Sequence, residues 1–203
     1  MFSRLLKRRA ALRAPAAPAV PQGRIVWAVG DIHGRYDLLA SLVEAIQADA
    51  VAHPDVRSTV IFLGDYIDRG PDSRAVLQCL AALRAVEGLE WRFLRGNHEQ
   101  AMLDFLIDPS QGAKWCEYGG DATLRSYGLA VPQMKHRPEA WSHLAADLEH
   151  RLTAEEQGFL KDLELSVTVG DYFFSHAGAR PGVRLEDQSS TDLMWIRGSF
   201  LGS

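Results

Sequence analysis

Four short glycine-bounded segments place oxygen and nitrogen ligands directly after apolar runs of the chain. The segments are residues 30–34 (Gly-Asp-Ile-His-Gly), 64–70 (Gly-Asp-Tyr-Ile-Asp-Arg-Gly), 96–99 (Gly-Asn-His-Glu) and 175–178 (Ser-His-Ala-Gly). Their candidate metal ligands are Asp31, His33, Asp65, Asn97 and His176. A mixed set of carboxylate, amide and imidazole groups suits borderline divalent metals such as manganese, iron or zinc. A carboxylate shared by two ions indicates a two-metal site, which suits in-line attack on phosphorus.

A metal site is favoured over four unrelated loops because the signals occur together. Taken singly, an Asp-x-His or a Gly-Asn-His sequence is a weak signal, and a lone histidine is more often structural than a ligand. Here the structural explanation needs four separate coincidences, each at the end of a strand-like run. We therefore interpret the four segments as parts of one metal centre.

The elements that must bring these loops together alternate between strand and helix. The predicted strands are residues 25–29, 60–63 and 91–94, and apolar residues recur at helical spacing over residues 38–46 and 73–86. This alternation predicts a parallel sheet covered by helices, with loops that gather at the carboxyl ends of the strands. A hairpin of residues 167–169 and 172–174 is predicted to deliver His176.

The order and wording of these segments resemble the calcineurin-like metallophosphoesterases, and residues 64–70 resemble in particular their serine/threonine protein phosphatase branch. Residues 115–120 and 123–128 are similar to an element of the bacterial and phage-type members of that branch. The resemblance covers roughly residues 24–200. It implies an α/β fold in which a β-sandwich is flanked by helices, in the layer order α/β/β/α.

The resemblance also implies a role for each ligand. Asp31 and His33 would hold the first metal, and Asp65 would bridge both. Asn97 and His176 would hold the second. The expected cofactors are two divalent metal ions, with manganese as the first choice and iron or zinc as alternatives. Their task would be to make hydroxide from bound water at neutral pH, and this hydroxide would attack phosphorus without a covalent phosphoenzyme.

Two further residues are catalytic by the same resemblance. His98 would be the general acid that protonates the leaving alkoxide, and Asp68 would orient His98 and stabilise its imidazolium. A histidine suits this task because its pKa lies near neutrality. The alternative for His98 is a hydrogen-bond partner on the metal side. Glu99 is expected to fix a loop instead of binding metal.

Three arginines are candidates for binding substrate phosphate, because a guanidinium offers a planar fork to phosphate oxygens. Arg69 lies inside the second segment, and Arg95 immediately precedes Gly96. Arg197 ends a Leu-Met-Trp-Ile-Arg run that is similar to another element of the family. For Arg197, a surface salt bridge is a nearly equal alternative.

The chain departs from the family pattern near its end. The family supplies one more histidine after the Trp-x-Arg element, and that histidine completes the coordination of the second metal. The given sequence ends at Ser203 without it. The histidines of the helical insert, His136, His143 and His150, are poor substitutes by position. We therefore expect an incomplete sequence that lacks the last strands of the sandwich.

Composition predicts one globular domain with an acidic body. The 203 residues are 47% hydrophobic and 24% charged, and the net charge is -4. Residues 1–23 hold five basic residues and no acidic one, so removing those charges leaves -9 for residues 24–203. Such a body argues against nucleic-acid binding. The predicted organisation is a basic, Pro/Ala-rich disordered arm over residues 1–23 and a metallophosphoesterase domain over residues 24–203.

The basic arm is interpreted as a solvated tail, in preference to a weak contact with acidic partners or anionic lipid. Five positive charges with little apolar area hold a membrane poorly. The sequence contains no stretch of 18 apolar residues, so no transmembrane helix is expected. The two cysteines make no disulfide framework and fit a reducing compartment, so a cytoplasmic location is expected. The sequence predicts no particular oligomeric state.

Three functions compete. The leading one is a metal-dependent phosphomonoesterase that acts on phosphoserine or phosphothreonine in proteins. The first alternative is a dinucleoside polyphosphate hydrolase of the same superfamily, but that class usually departs from the Asp68-Arg69 pair. The second is a degenerate, non-catalytic binding module. Only the missing last histidine supports this module, and the otherwise intact ligand set argues against it.

Overall fold

Two sheets form the centre of the protein, in a computed structural model that describes residues 17–132 and 137–202. The first sheet holds three parallel strands in the order β1-β2-β3, and the second is the antiparallel hairpin β4-β5. The strands are β1 Arg24–Val29, β2 Arg57–Phe62, β3 Glu90–Phe93, β4 Ser166–Val169 and β5 Tyr172–Ser175. The α/β class predicted from the alternating pattern is confirmed.

Strand β2 is buried on both faces and connects the two layers of the core. Val60 and Phe62 belong to the main hydrophobic cluster, whereas Ile61 belongs to a smaller cluster with Leu94 and Val167. Successive side chains of a strand point to opposite faces, so the hairpin covers the face of the sheet that the main cluster leaves open. This packing agrees with the sandwich that the sequence resemblance implies.

Helices between residues 36 and 161 cover the main cluster, and two short helices follow the hairpin. Their bounds are α1 Tyr36–Ala52, α2 Ser73–Leu83, α3 Asn97–Ile107, α4 Gly112–Glu117, α5 Gly120–Ser126, α6 Pro138–Arg151, α7 Ala154–Lys161, α8 Ser190–Trp195 and α9 Gly198–Leu201. In α1 the buried residues Leu39, Val43 and Ile46 follow the predicted helical spacing. Within the described ranges, no helix combines the length and the apolarity needed to cross a membrane.

Helix α2 ends at Leu83, before the predicted end at Val86. Beyond Leu83 the backbone continues with tighter bonds, from Ala85 N to Ala82 O (3.2 Å) and from Val86 N to Leu83 O (3.0 Å). Bonds between residues three apart close a 3₁₀-like turn and end the α-helix. The apolar pattern alone could not show this change, because Val86 remains apolar although it is 37% exposed.

The predicted capping box at the start of α7 is confirmed. The Thr153 hydroxyl accepts a hydrogen bond from Glu156 N at 3.2 Å, and the Glu156 carboxylate accepts one from Thr153 N at 2.7 Å. Glu156 is buried, and its carboxylate also accepts the Tyr127 hydroxyl at 3.0 Å. The cap therefore ties α7 to the chain that leaves α5.

Residues 17–22, which belong to the predicted Pro/Ala-rich arm, pack against the β4-β5 turn. Ala19 N donates to Asp171 Oδ2 at 3.0 Å, and Asp171 N donates to Ala19 O at 3.1 Å. The Tyr172 hydroxyl donates to Pro18 O at 3.2 Å. A proline-rich segment is stiff before it docks and therefore loses little entropy there. Residues 1–16 of the predicted arm lie outside the described residues, and the domain boundary at residue 24 stays a prediction.

Candidate metal centre

The carboxyl ends of the parallel strands and the end of the hairpin meet at one edge of the molecule. Asp31 and His33 follow β1, and Asp65 follows β2. Asn97 begins α3 directly after the turn that leaves β3, and His176 follows β5. The structure thus brings together side chains that are far apart in sequence, as expected for a sheet whose loops gather at one edge.

Two overlapping groups of ligand atoms occur at this edge. The first group is His33, Asp65 and His98, and the second is Asp31, Asp65 and His176, with the atoms of each group within 4.8 Å of one another. Asp65 belongs to both. Its Oδ2 lies 3.7 Å from His33 Nε2, and its Oδ1 lies 3.4 Å from His176 Nε2. One carboxylate oxygen therefore faces each group, which is the arrangement of a bridging ligand.

The donors and their spacing fit two divalent metal ions. Nitrogen and oxygen ligands bind such ions at about 2.0–2.2 Å, so neighbouring ligand atoms of a tetrahedral site lie about 3.4 Å apart. The His176 Nε2 to Asn97 Oδ1 distance is 3.0 Å, and the His33 Nε2 to Asp31 Oδ2 distance is 3.7 Å. Imidazole, carboxylate and amide donors together suit manganese, iron and zinc.

The candidate ligands His33 and His176 are both held by the ring nitrogen that does not face the cluster. His33 Nδ1 donates to Ile67 O at 2.8 Å, and His176 Nδ1 donates to Leu63 O at 3.0 Å. A carbonyl oxygen can only accept, so each Nδ1 carries the proton and each Nε2 keeps the lone pair that a metal needs. The backbone on either side of Asp65 thus sets the tautomer of both rings.

Backbone strain is concentrated at the same edge. In the part of the chain that the structure describes, the non-glycine residues with positive φ are His33 (44°), Asp65 (55°), Asp68 (73°) and Arg69 (67°). A left-handed conformation costs on the order of 1–3 kcal/mol at a non-glycine residue, and it persists only where the surrounding fold enforces it. All four residues belong to the candidate site. The surrounding fold therefore offsets the cost of these backbone conformations, which set the directions of the four side chains.

Gly96 and Glu99 lock the Asp65 loop against the start of α3. A Cβ on Gly96 would lie 2.1 Å from Asp65 Oδ1, so the close approach requires glycine. The buried Glu99 carboxylate accepts hydrogen bonds from the backbone N–H groups of Asp65, Tyr66 and Gly96 at 2.9, 2.8 and 3.0 Å. Burial and the nearby charge of Asp65 raise the pKa of Glu99 to about 7. Glu99 therefore fixes the loop, as the sequence predicts.

Replacing Glu99 by alanine should destabilise the protein by at least about 3 kcal/mol. The substitution leaves the buried N–H groups of four residues without this acceptor, and each such loss costs about 1–3 kcal/mol. Urea unfolding measured in the presence of chelator would give this value independently of bound metal. The matched control is Glu44→Ala on the exposed face of α1, which should change stability by less than about 0.5 kcal/mol. Similar unfolding midpoints for the two variants would contradict the locking role.

His98 and Asp68 form a buried pair behind the ligand groups. His98 Nδ1 lies 2.7 Å from Asp68 Oδ2. Asp68 also accepts the Trp115 indole N–H at 2.8 Å and the Thr123 hydroxyl at 2.6 Å. Burial alone would lower the pKa of His98, but the hydrogen bond to Asp68 and the charge of Asp65 raise it above its ordinary value. The imidazole is thus held in one orientation beside the cluster.

Arg69 and Arg197 lie at the cluster in different ways. The Arg69 guanidinium donates to His33 Nε2 at 2.8 Å and to His98 Nε2 at 3.0 Å, so it lies between the two rings. Arg197 is exposed and lines a cavity of about 240 Å³ together with three of the metal-ligand candidates. Either side chain can therefore reach a phosphate placed at the cluster.

The guanidinium of Arg95, a predicted phosphate ligand, donates hydrogen bonds to groups of α3 and α7. It donates to Gln100 Oε1 at 3.2 Å and to the carbonyl oxygens of Leu160 (3.5 Å) and Lys161 (3.4 Å). The backbone explains the direction, since Arg95 N donates to Glu164 O at 2.7 Å and turns the side chain toward the end of α7. Arg95 thus ties the end of β3 to α7.

Sequence reasoning missed the residues that hold Asp68 and Arg69. Trp115 and Thr123 bind the Asp68 carboxylate, as described above. The carbonyl of Gly119 accepts Arg69 N at 3.1 Å, and a Cβ on Gly119 would lie 2.8 Å from the same nitrogen. The available signal was the tryptophan followed by paired glycines in residues 115–120, which the sequence showed only as a family-like element.

Comparison with known proteins places the chain in a family. The family model described as calcineurin-like phosphoesterase matches residues 25–198. The chain belongs to this family. Serine/threonine-protein phosphatase 1 of Salmonella typhimurium is 41% identical to this calcineurin-like phosphoesterase over 99 residues, which cover 48% of this chain and 40% of the relative. A symmetrical bis(5'-nucleosyl)-tetraphosphatase of Legionella pneumophila is 34% identical over 146 residues, which cover 71% of this chain and 48% of the relative.

The chain spans less than half the length of these two relatives. A crystal structure described as that of a "putative diadenosine tetraphosphatase" aligns with a TM-score of 0.52 and 21% identity, over 85% of this chain and 58% of that chain. At this identity the alignment shows a shared fold. It agrees with the two-layer core and the parallel sheet of this calcineurin-like phosphoesterase.

Proposed function

We propose that the protein is a metal-dependent phosphomonoesterase that hydrolyses phosphoserine and phosphothreonine in proteins. The observation that carries the proposal is the buried His98–Asp68 pair beside the two ligand groups. An alkoxide is a poor leaving group, so hydrolysis of an alkyl phosphate gains strongly from a positioned proton donor. The similarity to the Salmonella phosphatase supports the choice of a phosphoprotein substrate. A cytoplasmic location is part of the proposal and rests on the cysteine content.

The proposed metal ligands are Asp31, His33, Asp65, Asn97 and His176, with Asp65 between the two ions. When bound, two divalent ions would polarise the phosphoryl oxygens and supply the water nucleophile at neutral pH. Manganese is the proposed metal, and iron and zinc also suit the donor set.

The remaining residues have separate tasks in this proposal. Arg69 would bind two phosphoryl oxygens through its planar fork, and Arg197 would contact the phosphate from the opposite side. Because Arg69 now donates to His98 Nε2, its movement onto the phosphate frees that atom. His98 would then take up a proton from solvent at the freed Nε2 and pass it to the leaving oxygen, while Asp68 holds Nδ1 and stabilises the ring in its positive form.

Activity on p-nitrophenyl phosphate tests the metal requirement. The protein should hydrolyse this ester with added manganese and lose the activity after overnight dialysis against excess chelator, because the ligands alone supply no nucleophile. Manganese, iron and zinc should be returned separately, with elemental analysis of each sample. Full activity after dialysis, in protein shown to be free of metal, would contradict the proposal.

A dinucleoside polyphosphate hydrolase is the second candidate function. The Legionella relative favours it, because that alignment covers 71% of this chain. A substrate panel separates the two candidates: kcat/KM is measured on a phosphoserine peptide, a phosphothreonine peptide and diadenosine tetraphosphate at the same metal concentration. The proposal expects the peptides to be preferred, and a higher value on the dinucleotide would select the second candidate.

Arg69→Ala should weaken phosphate binding while Arg95→Ala leaves it unchanged. Charge-assisted hydrogen bonds contribute about 1.5–3 kcal/mol, so the inhibition constant for inorganic phosphate should rise roughly 10- to 150-fold in Arg69→Ala. Arg95→Ala is the matched control, since its guanidinium bonds to Gln100 and to α7. Metal content should stay at the wild-type value in both. Equal inhibition constants for inorganic phosphate in the wild type and in Arg69→Ala would contradict phosphate binding by Arg69 and indicate a structural role.

A further inference from the structure

We infer that a small cavity beside the metal centre receives a small aliphatic side chain next to the phosphorylated residue of a protein substrate. This inference rests on the proposed function and specifies its substrate. The cavity, named here the side pocket, is lined by Tyr118, Trp195, Trp115, Lys114, Gln111 and Asp104. Tyr118 and Trp195 are its two exposed aromatic walls.

Trp195 separates the side pocket from the metal-ligand candidates. Trp195 lines both the side pocket and the cavity that contains Asp31, Asn97 and His176. The helix that carries Trp195 is attached to the ligand loop, because Ala177 N donates to the carbonyl of Leu193 at 2.8 Å. A residue whose phosphate lies at the cluster therefore has its chain neighbours close to the side pocket.

The floor of the side pocket is tied to the proposed catalytic groups. The indole N–H of Trp115 donates to Asp68 at 2.8 Å. Tyr118 precedes Gly119, whose carbonyl accepts Arg69 N at 3.1 Å. One short stretch of chain thus orients the proposed acid pair, fixes the arginine and places Tyr118 at the rim. The side pocket consequently has a fixed position relative to a bound phosphate.

The two aromatic walls are about half exposed, unlike the aromatic residues of the helical core. Tyr118 and Trp195 are 50% and 48% exposed, whereas Trp115, Tyr127 and Trp141 are at most 3% exposed. An aromatic side chain gains much from burial, and exposed tyrosine and tryptophan beside a cavity are typical of surfaces that bind another molecule. Among the described residues, these two rings are therefore open to contact with a bound molecule.

The volume of the side pocket decides between its candidate occupants. It measures about 80 Å³. An engineered apolar cavity that holds a benzene ring measures about 150 Å³, nearly twice as much. The side pocket is thus too small for the fused rings of a purine and close in size to a valine side chain. Its two aromatic walls and indole floor favour an aliphatic group.

A set of phosphoserine peptides tests this preference. The peptides carry glycine, valine or phenylalanine directly before or directly after the phosphoserine, and a capped phosphoserine amide reports the reaction without neighbours. At one of the two positions, kcat/KM should be roughly 10-fold higher for valine than for glycine, as expected for a few methylene groups in an apolar pocket. Phenylalanine should fall below valine because its ring does not fit.

Variants then assign the preference to the side pocket. Tyr118→Ala and Trp195→Ala should each bring the valine-to-glycine ratio close to one, and Trp195→Phe should retain part of it. The ratio is used because either alanine substitution also changes the absolute rate. Tyr172→Ala is the matched control, since Tyr172 is similarly exposed (44%) but lies on β5, and it should keep the wild-type ratio. Circular dichroism spectra verify that each variant is folded.

The outcomes separate the side pocket from the proposed function. Hydrolysis of the capped phosphoserine with equal kcat/KM for valine and glycine peptides overturns the side pocket and leaves the proposed function in place. A preference that survives both alanine substitutions also overturns it. If the two alanine substitutions lower kcat/KM more on diadenosine tetraphosphate than on the peptides, the side pocket binds a nucleotide base, and the inference is overturned. Absence of hydrolysis of every phosphomonoester, with manganese, iron or zinc, overturns the proposed function and the inference together.

Discussion

Asp65→Asn should lower metal affinity more than any other single substitution of a ligand. Asp65 is the residue shared by both ligand groups, with one oxygen toward His33 and the other toward His176. Asparagine keeps one oxygen ligand but replaces the other by an amide NH₂, and it removes the negative charge between two cations. Even changes to residues that only orient metal ligands cost 10- to 100-fold in affinity, so we expect a loss of more than about 100-fold.

The substitution is informative because it should preserve the fold. Asp65 has a φ of 55°, and asparagine accepts this left-handed conformation better than most residues do. The remaining side-chain oxygen can still accept a hydrogen bond from the backbone N–H of His98. In the wild type, this backbone nitrogen lies 3.2 Å from Asp65 Oδ1. Elemental analysis after dialysis against a fixed manganese concentration should give one ion or none per chain.

Asp31→Asn is the matched control for this measurement. The Asp31 side chain is 55% exposed and belongs to one ligand group only. The same change of aspartate to asparagine should therefore weaken one site and leave the other occupied. Two ions bound at wild-type affinity in Asp65→Asn would exclude the bridging assignment.

The ligand loops could be located from sequence because each is encoded locally. A short apolar strand, a glycine and a polar side chain occur within a few residues, as in the run that ends at Asp31. The parallel sheet then brings the loops together by a general rule of such folds. Asp31 and Asp65 meet for that reason, whereas His176 reaches the same group from the antiparallel hairpin of the other sheet.

Side-chain direction depends on tertiary contacts and was therefore beyond the sequence. Arg95 lies beside the Gly-Asn-His-Glu segment in sequence, yet pairing of its backbone with Glu164 turns its guanidinium toward α7. Asp68 depends in the same way on Trp115 and Thr123, which are 47 and 55 residues away along the chain. No local pattern marks such partners, because packing of α4 and α5 against the loop creates the contact.

His98→Asn should lower turnover on alkyl phosphates by roughly 10²–10⁴-fold, the usual contribution of a general acid. The structure supplies two physical reasons. The His98 ring is buried and held by Asp68 at 2.7 Å, and its Nε2 faces the cluster, 3.8 Å from Asp65 Oδ2. Asparagine is shorter and has no proton to give at neutral pH, so the leaving alkoxide would depart without protonation.

The Nε2 atom of His98 is also among the ligand atoms of the first group, so a metal-ligand role must be distinguished from an acid role. Two measurements distinguish them: the rate loss on substrates with different leaving groups, and the metal content of the variant. An acid matters less for p-nitrophenolate, which leaves without a proton, so the loss should be much smaller on p-nitrophenyl phosphate than on phosphoserine. His53→Asn, at the exposed end of α1, should leave both rates unchanged. An equal loss on the two substrates together with a missing ion would make His98 a ligand. A leaving-group-dependent loss with both ions retained would support the proton donor, because only that role is sensitive to the basicity of the departing oxygen.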